Sequence, residues 1–165
     1  MIRLFTVSMV AVLGAASAFA DTCSGGKTQA IQCDLKPGKS LTVCIGNGEA
    51  SYAYGPKGAP ELAMTQPLGQ VDATPWAGVG RSIWEEIVFY NNDVSYAVWM
   101  SLDRGEEGFP TSGGVLVARG DQTLADLQCL KGTADVTTFA ISDGFERAGF
   151  CWDFQAQRFQ RNCGN

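Results

Sequence analysis

From Leu41 onward, apolar and polar positions alternate along the chain. Leu41, Val43 and Ile45 are separated by Thr42 and Cys44, the period-2 pattern of a half-buried strand. Gly46-Asn47-Gly48 supplies a tight turn, because both residue types tolerate positive φ, and Ala50 to Tyr54 returns as a second strand. After the turn cluster Gly55 to Pro60, Glu61 to Met64 reads as a short third strand. Gln66 to Gly80, broken by Pro67, Gly69, Pro75 and Gly78, reads as a long surface loop. The strongest pair is Ile83 to Tyr90 with Val94 to Leu102, both rich in aromatic and β-branched residues around the turn Asn91-Asn92-Asp93. Tyr96, Val98 and Met100 then share one face, and Ala97, Trp99 and Ser101 the other.

A second polar loop, Asp103 to Gly114, leads to strands over Val115 to Ala118, Thr123 to Cys129 and Val136 to Ile141. Near the C-terminus the period changes. Phe145, Ala148 and Trp152 recur at helical offsets behind the N-cap candidates Ser142 and Asp143, which predicts a short helix from about Gly144. About seven or eight short strands punctuated by turns predict an all-β fold, an antiparallel sandwich or small barrel.

Two features set the compartment. Met1 to Ala20 carries Arg3, an apolar run from Leu4 to Leu13 and the small-x-small ending Ala18-Phe19-Ala20, the layout of a secretory leader cut before Asp21. The run is too short for a spanning helix, which needs roughly 20 apolar residues, and no membrane span is expected in the remainder. The six cysteines, Cys23, Cys33, Cys44, Cys129, Cys151 and Cys163, all lie beyond that cut, and an even set in an exported chain predicts disulfides. Sequence does not choose among their pairings; the preferred set is Cys151 with Cys163, Cys44 with Cys129, and Cys23 with Cys33. The expected organisation is a leader over 1–20, a disulfide-tethered segment over 21–40 and one β-rich domain over 41–165, in the periplasm or secreted.

Charge and composition narrow the chemistry. A formal net charge of −5 disfavours nucleic acid, which needs a basic stripe, and suits a basic partner. The chain has no histidine, which sets aside the common serine, cysteine and zinc hydrolases, and no C-x-x-C pair suggests a metal; neither metal nor cofactor is expected. Carboxylates alone serve a glycosidase. Glu85 and Glu86 are the candidates, with Asp103, Glu106 and Glu107 in the following loop, but neighbours in a strand point to opposite faces, so at most one of the pair joins a cleft. The same acidic loop lacks the ligand order of a calcium loop and contains Arg104. Of four tryptophans, Trp84, Trp99 and Trp152 are expected in the core, whereas Trp76 sits in the long loop as either an exposed anchor or a plug.

The order of a cysteine-bearing first strand, a hairpin, Gly78-Val79-Gly80-Arg81-Ser82 and aromatic strands from Trp84 to Trp99 resembles the small periplasmic lysozyme-inhibitor domains of Gram-negative bacteria. That resemblance implies a compact antiparallel β-barrel with a loop inserted into the lysozyme cleft. Gly80-Arg81-Ser82 has the small and basic character of the inhibitor motif, but no tyrosine follows it. The stretch Tyr52 to Leu62 also looks like a pattern recurring in exported bacterial proteins of unassigned function, which implies a fold type.

The expected function is a non-catalytic exported domain that binds a protein or envelope component, a lysozyme being the concrete case, through Trp76, Gly80, Arg81, Ser82, Asp103, Glu106 and Glu107. The alternatives are a carboxylate-dependent glycan-active enzyme and a structural or assembly factor of the envelope.

Overall fold

The structure, a computed structural model, describes residues 23–163; the predicted leader lies outside the described residues. The fold is all-β and antiparallel, with one short helix and three disulfides. It is a sandwich of two five-stranded sheets plus a C-terminal hairpin.

The first sheet contains β1 (Thr28–Lys36), β2 (Lys39–Gly46), β3 (Glu49–Gly55), β4 (Leu62–Pro67) and the short β10 (Asp135–Val136), in the order β10-β1-β2-β3-β4. The segment before Leu41 is therefore a central strand and not an extended tether. Its Ile31, Cys33 and Leu35 are buried and alternate with Gln32, Asp34 and Lys36, the same period-2 pattern that marks β2.

The second sheet contains β5 (Asp72–Thr74), β6 (Ser82–Asn91), β7 (Val94–Asp103), β8 (Thr111–Arg119) and β9 (Gln122–Gln128), paired in chain order. The two long loops shrink accordingly. Within Gln66 to Gly80 the chain forms a 3-10 turn, Leu68–Gln70, and then β5, because Leu68, Val71 and Ala73 enter the core as the chain crosses between sheets. The second loop is only 104–110, and Gly113 and Gly114 belong to β8. Inward residues of the sheets meet in one core, where Tyr52 packs on Phe89 and Tyr96 at ring-centre distances of 5.6 and 5.5 Å.

The expected strand Val136 to Ile141 survives only as β10, and the helix α1 (Ala140–Arg147) begins earlier than Gly144. Its cap is Phe139, at φ 64°, and neither Ser142 nor Asp143 serves. Ile141 and Phe145 close the core at this end, and Phe145 stacks on Phe159 at 4.4 Å. Trp152 lies in β11 (Cys151–Asp153), paired with β12 (Arg158–Gln160), and not in a helix.

The disulfides are Cys23–Cys44, Cys33–Cys129 and Cys151–Cys163. The last matches expectation; the other two pairs are exchanged. The cause is strand parity. Leu41, Val43 and Ile45 point inward, so Cys44 lies on the outer side of β2 and meets the N-terminal segment, whereas inward Cys33 spans the sandwich to Cys129 just beyond β9.

Candidate functional site

The expected site residues assemble at one end of the second sheet. Register pairs Ser82 with Asp103, which brings the loop before β6 beside the loop after β7. Arg81 Nε donates to Asp103 Oδ1 at 2.7 Å, and its Nη2 lies 3.3 Å from Glu106 Oε1. The Gly105 N–H also donates to Asp103 Oδ1. The Arg81 guanidinium, followed by that N–H, holds the Asp103 carboxyl below its ordinary range. Glu107 stays exposed in the same turn.

Trp76 is neither a free anchor nor a core plug but the clamp between the loops. The Arg104 guanidinium lies 4.9 Å from the centre of its ring, a cation–π contact, and donates to the Gly80 carbonyl at 3.1 and 2.5 Å. The indole N–H donates to the Val79 carbonyl at 2.9 Å, and Phe139 packs on the ring at 6.1 Å. This network leaves Val79 and Phe109 standing out, 73% and 59% exposed. Phe109 and Phe139 both hold positive φ, a conformation aromatic residues rarely adopt. Arg104, Val79, Phe109 and Phe139 were not among the expected site residues. The signal for two of them was present: Val79 sits between Gly78 and Gly80, and Phe109 between Gly108 and Pro110, apolar tips inside turn sequence.

The two strand glutamates separate as parity requires. Glu85 is buried, and its carboxylate accepts from the N–H groups of Ile141 at 3.2 Å and Ser142 at 2.9 Å. These are donors of the first turn of α1, whose Phe139 cap makes no side-chain hydrogen bond. Burial pushes the Glu85 carboxyl above its ordinary range and outweighs the donors that favour its charged form. Glu85 thus replaces the missing cap from across the core.

Glu86, directly opposite Trp99, is half-buried on the outer face, and desolvation raises its carboxyl as well. Trp84 is 40% exposed and Trp99 half-buried on that same face, a departure from the expected core placement. The inward positions of β6 and β7 are occupied by Glu85, Ile87, Phe89, Val98 and Met100, which leaves both indoles outside. Trp152 is likewise only half-buried.

Elsewhere, an open depression lies beside the β1–β2 turn, where Lys57 pairs with Asp34 at 3.2 Å and Lys39 is tied to Glu61. Among the described residues no helix is long and apolar enough to cross a membrane. No family matches the chain, and neither a curated protein nor a solved structure is detectably similar to it.

Proposed function

We propose that this is an exported, non-catalytic binding domain of the periplasm or extracellular space that grips a protein partner with the end of the second sheet. The observation that carries the reading is the Trp76–Arg104 clamp, which fixes two loops as one surface and presents Val79 and Phe109 to solvent. Rigid loops that display apolar tips lose little entropy on association and make efficient anchors.

The disposition of the acids supports binding over turnover. Asp103 and Glu106 are engaged by Arg81, and Glu85 is engaged by α1. Three disulfides suit an oxidising compartment. The net charge of −5 suits a cationic target, and inhibition of a basic cell-wall lysozyme is the most concrete form of the proposal.

The test is to add the oxidised protein to lysozymes of several structural types and follow wall lysis. Slower lysis by at least one type is expected, relieved at least ten-fold in potency by Val79→Asp, a substitution at an exposed tip that should leave the fold unchanged. Lysis rates unaltered for every type would remove the inhibitor reading.

A further inference from the structure

The outer face of the second sheet carries chemistry that the loop end does not use. Register places Thr74, Glu86, Trp99, Gly114 and Gln128 in one row across all five strands, with Trp84 on the adjacent row. Gly114 faces outward yet is buried, because the Trp99 indole lies across it: a Cβ at position 114 would sit 3.0 Å from the indole Nε1. The neighbouring backbone carbonyl of Leu127 would be at 2.5 Å, so glycine is required there. One side of the indole is thereby seated on the sheet.

The charged groups on this face are of one sign, beside the neutral Thr74, Ser101, Ser112 and Gln128. The Glu86 carboxylate makes no hydrogen bond or ion pair with another described residue, and Asp126, which holds the Gln128 side-chain amide at 2.6 Å, keeps further acceptor capacity. No lysine or arginine occupies an outward position on β6 to β9. Such a face repels phosphates, uronic acids and other anions. It suits a ligand with flat C–H surfaces to lie on indole and many O–H donors for the carboxylates. Diagonal positions on adjacent antiparallel strands are about 7–8 Å apart, so a run of pyranose rings laid along the sheet meets both Trp84 and Trp99.

We infer that this face, built on Trp84, Glu86, Trp99 and Gly114, is a binding platform for a neutral, extended polysaccharide whose ring faces stack on the two indoles and whose hydroxyls donate to Glu86 and Asp126. It adjoins the loop end, since Ser82 and Asp103 form the next row of the same face beyond Trp84, but it is built from different residues and is independent of the inhibitor reading. A cationic protein is the competing occupant, since Leu116 is also exposed here; the seated indole and the diagonal placement of the two indoles favour the flat ligand.

The experiment is co-sedimentation of the oxidised protein with microcrystalline cellulose, chitin and insoluble β-1,3-glucan, all uncharged, scored for the parent and for Trp84→Ala, Trp99→Ala and Glu86→Gln. Retention on at least one of the three glycans is expected, weakened at least ten-fold by either tryptophan substitution and about three-fold or more by Glu86→Gln. Trp99→Phe, which keeps an aromatic face, should bind between parent and Trp99→Ala, and far-UV circular dichroism confirms that each variant is folded. Val79→Asp should sediment like the parent, which separates this platform from the loop end. No retention on any of the three glycans overturns the inference. Retention that survives the Trp84→Ala/Trp99→Ala double substitution overturns it equally, and so does loss of lysozyme inhibition rather than glycan retention in that variant, which would assign the face to a protein.

Discussion

The inner and outer faces of the second sheet place the same chemistry in opposite circumstances. Glu85 and Glu86 are neighbours on β6, each with a carboxyl raised by desolvation. On the inside, Glu85 finds two backbone N–H donors of α1 and becomes part of the fold. On the outside, the Glu86 carboxylate stands beside Trp99 with no hydrogen-bond or ion-pair partner among the described residues. A strained titratable group is thus a functional pointer only after its neighbours have been counted: the more deeply buried acid is the structural one.

The largest expected effect concerns how the inner face is held shut. Replacing Cys33 and Cys129 by serine removes a bridge of sequence separation 96 between the sheets, and a loop of that size should cost about 4–5 kcal/mol of stability. A denaturant titration measures it; a loss near 1 kcal/mol would show that the inner face closes by packing alone. Next in size is Glu85→Ala, which leaves two first-turn donors of α1 without their acceptor and should cost about 2 kcal/mol. Because the folded carboxyl is raised, its neutral form is the one the fold prefers. Its contribution is therefore greatest below the ordinary glutamate range and falls as pH rises through the elevated folded value. Glu85→Gln should flatten that part of the stability-versus-pH curve. The smallest effect is predicted outside: Glu86→Gln should change stability by no more than about 0.5 kcal/mol at neutral pH. A larger loss would mean that Glu86, too, is structural.

Most of the sandwich was legible because period-2 alternation survives wherever one face is buried. β2, β3, β6 and β7 follow directly from it. β1 carried the same signal in Ile31, Cys33 and Leu35 but was obscured by the polar Gly- and Pro-containing composition around it. The same alternation contained the disulfide answer, since Cys44 alternates with Val43 and Ile45 and cannot cross the core it faces away from. The loop end was foreseeable in part: pairing β6 with β7 sets Ser82 opposite Asp103 and so brings the preceding Arg81 within reach of that carboxylate. The Glu85 contact with α1 was not, because it joins residues 56 and 57 positions apart that only tertiary packing relates. The size of the indoles suggests the core, but strand parity decides: the sheet turns Trp84 and Trp99 outward for the same reason that it turns Glu85 inward.

The pairing of Cys33 with Cys129 also bears on how the chain matures. Synthesis delivers Cys23, Cys33 and Cys44 long before Cys129, so early oxidation among these three draws on a set in which only Cys23–Cys44 is native. Any bond that Cys33 forms in that interval must be undone by thiolate attack before the second sheet can be latched to the first. Efficient production of this protein should therefore depend on a disulfide-shuffling catalyst and not on an oxidant alone.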